Sequence, residues 1–169
     1  SQFFESERYF SGTVVAPSSS KYKDFNTRNL LEWDSFFNAF TSKLKVAVLG
    51  EQYTYFENFE SPIEETSKAE TFIAKYDLNY ELNETTDFNA IIDFTRTKGT
   101  GSQIGTNYRN IGSFVLMAKK NFFNKLIAEL SLRKEITDNY ESPLLYALGL
   151  KYGVSKFYNL KLNGSRSFR

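Results

Sequence analysis

Few residues in this 169-residue chain have the type and spacing that chemistry needs. Gly99-Thr100-Gly101-Ser102-Gln103-Ile104-Gly105 has the glycine content of a phosphate-cradling loop. Such a loop opens a helix and carries Lys then Ser or Thr after its last glycine. Here Thr106-Asn107-Tyr108 leads into an alternating segment, so the run reads as a surface loop. Glu64, Glu65 and Asp93 are the carboxylates to weigh for acid–base work. Nothing in their spacing sets them around a substrate, and they read as solvated charges. Asn83-Glu84-Thr85 and Asn163-Gly164-Ser165 match a glycosylation acceptor, a tripeptide common by chance. The chain has neither Cys nor His, which removes disulfides, thiol nucleophiles, the usual zinc ligand sets and histidine acid–base pairs. No catalytic residue, metal ligand or cofactor is assigned, and no enzyme activity is expected.

Charge narrows the classes further. Lys+Arg 21 against Asp+Glu 20 leaves a formal net charge of +1, with no basic footprint for nucleic acid. No apolar run approaches the roughly 20 residues of a spanning helix. The opening Ser1-Gln2-Phe3-Phe4-Glu5 reads as neither a signal peptide nor a lipidation motif.

The elements that must position any functional surface are visible as alternation. From Phe72 the even positions run Phe72, Ala74, Tyr76, Leu78, Tyr80, Leu82. The pattern returns in Phe88–Phe94, Gly112–Ala118, Leu126–Leu132, Tyr146–Tyr152 and Leu160–Gly164. None of the even positions in these windows is charged, whereas the odd ones include Lys75, Asp77, Glu81, Asp93, Glu129, Lys151 and Lys161. A period of two sends successive side chains to opposite faces of a strand. Two earlier strands, near 21–34 and 43–56, are less regular, and a partial one is possible at 8–15.

The connections alternate too. Short ones fall at Ser35–Asn38, Asn83–Thr86, Lys120–Asn124 and Ser155–Tyr158, longer polar ones at Glu57–Lys68, Lys98–Asn107 and Glu135–Pro143. The Ser-rich stretch Pro17–Ser20 reads as another loop. Tight turns at one end and longer loops at the other describe an all-β antiparallel meander of about eight strands. Aromatics gather beside the short turns (Trp33, Phe36, Phe37, Tyr80, Phe122, Phe123, Phe157, Tyr158) and toward the loops (Tyr53, Tyr55, Phe56). A transmembrane β-barrel has this signature: strands of about 9–11 spanning residues, an uncharged lipid face, aromatics at both interfaces and short periplasmic turns. A soluble sheet with one face on a core also alternates. A lipocalin-like binding barrel is its sharpest form, although the first-strand Gly-X-Trp motif and the terminal helix are not seen.

Toward the C-terminus the residues resemble a family. Asn124-Lys125-Leu126-Ile127-Ala128-Glu129-Leu130-Ser131-Leu132-Arg133-Lys134-Glu135, the Glu141-Ser142-Pro143 loop and Tyr146-Ala147-Leu148-Gly149-Leu150-Lys151-Tyr152 are similar to barrel strands of TonB-dependent outer-membrane receptors of Bacteroidetes type. So is Leu160-Lys161-Leu162-Asn163-Gly164-Ser165-Arg166-Ser167-Phe168-Arg169, with weaker likeness at Asn29-Leu30-Leu31-Glu32-Trp33 and Tyr53–Phe56. The resemblance implies residues 1–169 to be a segment of the receptor barrel, with the plug domain and remaining strands absent. It implies a bacterial outer-membrane location, contact with outer-membrane lipid, and a TonB complex acting through that absent plug. The implied task is energised import of a scarce bulky nutrient such as a siderophore, cobalamin or glycan. The ligand-binding residues are unknown; Tyr, Asn and Arg of the loops at 57–68, 98–107 and 135–143 are where ligand contact is expected. Arg166 and Arg169 read as rim residues, with a lumenal place toward the plug as the alternative. A complete eight-stranded outer-membrane barrel of structural or adhesive role remains the second reading.

Overall fold

Alternating β-branched and aromatic residues, with three prolines in the whole chain, leave the backbone free to form long ladders. A computed structural model describes residues 1–10, 12–13, 19–58, 64–102 and 105–168. Nine strands form one antiparallel sheet in sequence order: β1 (Gln2–Tyr9), β2 (Lys21–Phe37), β3 (Phe40–Phe56), β4 (Glu64–Asn83), β5 (Thr86–Gly101), β6 (Gly105–Phe122), β7 (Leu126–Thr137), β8 (Leu145–Gly153) and β9 (Asn159–Ser165). The all-β meander is thus present, with nine strands where about eight are expected. The additional one is β1, which pairs Gln2 with Arg28 through to Tyr9 with Lys21. It overlaps the partial strand expected at 8–15 at Arg8 and Tyr9 only; residues 10, 12 and 13 are not strand, and residues 11, 14 and 15 lie outside the described residues, as do Pro17 and Ser18 of the Ser-rich loop.

The turns follow local chemistry. The chain reverses between β2 and β3 at Asn38-Ala39, later than the Ser35–Asn38 expected, because Asn38 takes φ 49° and asparagine tolerates the left-handed region. At β4–β5, the Asn83 Oδ1 accepts from the Thr85 amide at 3.0 Å and from its hydroxyl at 2.8 Å. Between β6 and β7, Phe123 and Asn124 both have positive φ, 54° and 57°. Ser155 Oγ accepts from the amides of Phe157 and Tyr158 at 3.2 Å in the β8–β9 turn.

The long-loop expectation needs correcting. β4 already starts at Glu64, β5 continues to Gly101 and β6 resumes at Gly105, so most of Lys98–Asn107 is strand. Polar ladders pair as readily as apolar ones when threonines meet across them: Thr71 and Thr97 hydroxyls lie 3.2 Å apart, Thr54 and Thr66 hydroxyls 3.3 Å. An apolar face marks where a sheet meets a nonpolar medium, and pairing continues beyond it.

The chain divides into two compact units. One comprises Ser1–Leu31, Val46–Ile73 and Thr95–Arg109; the other comprises Glu32–Lys45, Ala74–Phe94 and Asn110–Arg169. Neither contains a buried hydrophobic side chain among the described residues. The buried residues are polar instead: Asp24, Thr54, Thr86, Ser113 and Ser142.

Candidate functional site: an apolar face and a polar face

Register turns the sequence pattern into two surfaces. In the second unit Ala118 faces Leu130, Leu130 faces Leu148 and Leu148 faces Gly164 across β6 to β9. The flanking rows are Leu116–Leu132–Tyr146 and Lys120–Ala128–Leu150–Leu162. These even-numbered side chains make the apolar face, and they are exposed or half-exposed, Leu162 at 67%. On β2 the phase inverts, because a two-residue turn joins an odd position to an even one. A Cβ on Gly50 would lie 2.7 Å from Thr27 Oγ1, so the odd residues of β2 share the face of the even residues of β3. Trp33 and Phe37 therefore lie on the same apolar surface as Phe40. Phe40 stacks on Tyr80 at 4.4 Å, and Trp33 Nε1 donates to Ser35 Oγ at 2.8 Å, which satisfies its polar tip. At the turn tips Phe123 and Phe157 are 93% and 88% exposed.

The opposite face is hydrogen-bonded. Asn89 Nδ2 donates to Asp77 at 2.6 Å, Ser113 donates to Asp93, and Lys119 lies 3.9 Å from Glu129. Gly149 leaves room there: an added Cβ would come within 3.3 Å of Asn163 Oδ1 and 3.8 Å of Glu129. The result is an open hollow of about 680 Å³ in the second unit, lined by polar side chains such as Asn79, Glu81, Glu129 and Asn163 together with apolar ones such as Phe88 and Leu130. In the first unit the polar face carries an aromatic group, Phe10, Tyr22 and Tyr55, with ring centroids 5.1 and 5.0 Å apart. Beside it the buried Asp24 accepts from Arg8 at 2.6 Å and Ser6 at 3.1 Å, and its second oxygen has no partner among the described residues. This group of polar-face side chains is absent from the sequence expectation. The ladder pairing Arg8 with Tyr22, which are far apart in chain order, is what assembles it.

Most residues weighed from the sequence fall among the described residues. Glu64 and Glu65 open β4 and are exposed. Asp93 accepts a hydrogen bond from the buried Ser113. Gly99 and Gly101 end β5 and Gly105, with φ 65°, opens β6, so the glycine run is a hairpin tip; Gln103 and Ile104 lie outside the described residues. Asn163 lies in β9 and faces Gly149. Arg166 continues the β8–β9 ladder through its amide, which donates to Tyr146 O at 2.9 Å; Arg169 lies outside the described residues. Of the loops expected to contact ligand, residues 59–63 are likewise outside. In the 135–143 loop, Tyr140 donates to Glu135 and its ring lies 5.9 Å from that of Phe168.

No protein-family model matches this chain, and no curated protein matches it.

Proposed function

We propose that the chain is a wall segment of a bacterial outer-membrane β-barrel, of the TonB-dependent receptor type that its sequence resembles. The observation that carries this reading is the inverted burial. Large apolar side chains lie on an exposed face while the buried residues are polar. In water such a sheet leaves its apolar face unsatisfied; in hydrocarbon that face is the stable one, and the ladders pair the backbone. Length supports it as well. Phe72 to Leu82 of β4 gives 11 residues without charge on the apolar face, about 36 Å of strand at 3.3 Å per residue. Tilted by about 45°, that run matches an apolar band of about 25 Å. The absence of a buried apolar interior among the described residues favours this reading over a soluble lipocalin-like barrel.

On this reading the polar face looks into the barrel, and Arg8, Asp24, Tyr22 and Tyr55 are placed where an entering nutrient meets the wall. The chain supplies wall and contact side chains; transport belongs to a whole receptor with plug and TonB complex. Flotation tests the membrane part: refolded chain is expected to rise with phosphatidylcholine vesicles and to resist extraction by carbonate. A folded, monodisperse chain free of detergent and lipid would refute it. The receptor part is tested by the adjoining coding sequence, where a plug domain is expected upstream.

A further inference from the structure

We propose that Lys68, Arg96 and Lys98, where the apolar face of β4 and β5 turns polar, bind the phosphate of an anionic lipid head group. The inference rests on the membrane reading and adds a lipid partner to it. Period two fixes the face. Lys68 and Glu70 continue the Phe72–Leu82 row of β4, and Arg96 and Lys98 continue the Phe88–Phe94 row of β5. Arg96 follows Phe94 on that row, so its guanidinium begins where the uncharged run ends, at the depth of lipid head groups.

The charges there are unbalanced. Lys98 lies 3.9 Å from Glu70. Lys68 and Arg96 are exposed, and neither has a carboxylate within ion-pair distance among the described residues. Arg96 lies over the Tyr108 ring at 5.3 Å, which orients its planar fork while leaving its donors available. On this face of the two paired strands, beyond the uncharged run, three cations stand against two carboxylates, Glu70 and, at the very start of β4, Glu64. Toward the turn end of β4 to β6 the same face carries a single cation, Lys120. Solubility alone would not concentrate charge at one end of a lipid-facing wall. A phosphate that accepts from Arg96 and Lys98 matches the excess.

The test uses the full chain in phosphatidylcholine vesicles carrying a trace of spin-labelled phosphatidic acid, with the motionally restricted lipid fraction as readout. The wild-type chain is expected to select phosphatidic acid over spin-labelled phosphatidylcholine. R96Q/K98Q is expected to weaken that selection roughly fivefold for each cation removed. K68Q, at an exposed position where folding is not at stake, is expected to weaken it less, and K120Q to leave it unchanged. Undiminished selection by both R96Q/K98Q and K68Q would overturn the proposal. Displacement of the lipid by millimolar inorganic phosphate would overturn it too, assigning the site to a soluble anion. A chain that never enters neutral vesicles brings down the membrane reading itself, whereas one that enters and shows no preference removes only this inference.

Discussion

Glu7, Tyr9 and Lys21 form a charge-assisted group between β1 and β2. Glu7 accepts from Lys21 Nζ at 2.8 Å and from the Tyr9 hydroxyl at 2.6 Å. The Lys21 hydrogen bond first, then that of Tyr9, holds the Glu7 carboxyl below the ordinary glutamate value. Hydrogen bonding to Glu7 raises both Lys21 and Tyr9. A carboxyl whose folded pKa is depressed contributes stability above its unfolded pKa and loses it as pH falls through the folded one. A raised lysine does the reverse, contributing below its unfolded pKa and losing that as pH rises through the folded one. Titration of the Glu7 side-chain carbon signal should give a midpoint below that of free glutamate, and Lys21→Gln should move it back up. A different residue-scale prediction concerns the β6–β7 turn. Its two left-handed positions suit Asn124 and penalise Phe123. Phe123→Gly should relieve about 1 kcal/mol of backbone strain in a detergent unfolding measurement. It should also weaken attachment to vesicles if that exposed ring reaches the lipid interface.

At the scale of the strand, face decides consequence. Leu78 lies on the apolar face of β4 and Asn79 on the polar one, so two adjacent substitutions separate the membrane reading from a soluble sheet. Leu78→Arg is expected to cost about 2–4 kcal/mol in lipid, while Asn79→Arg costs little. In a water-soluble sheet with Leu78 at its surface, the two would be nearly equal. Gly50 gives a second test. Ala there forces Thr27 Oγ1 to move, so Gly50→Ala should destabilise by about 1 kcal/mol, and Thr27→Ala should restore most of it; double-mutant unfolding measures the coupling. The strands from β4 onward were legible in the sequence because an uncharged face imposes alternation on them. β1 was not: Phe3, Phe4 and Glu5 interrupt any period, and pairing with β2 alone sets that strand. The extensions of β4, β5 and β6 escaped for a related reason, since polar faces on both sides leave no hydropathy contrast to read. The Phe10–Tyr22–Tyr55 group was illegible because its members come from β2, β3 and the residue that follows β1, and no local pattern specifies the register that joins them.

For the whole molecule, the governing feature is that no described apolar side chain is shielded from its surroundings. A water-soluble domain gains heat capacity on melting because greasy groups become newly wetted. This chain has little such surface sealed within itself. If the chain resides in lipid as proposed, melting there should proceed with a heat-capacity increment well below the roughly 2 kcal/mol/K that 169 residues of a globular protein would show by differential scanning calorimetry. On the membrane reading proposed above, its thermal tolerance should track bilayer thickness and acyl-chain length more closely than any internal substitution, and the surrounding bilayer would count as a structural component of the fold.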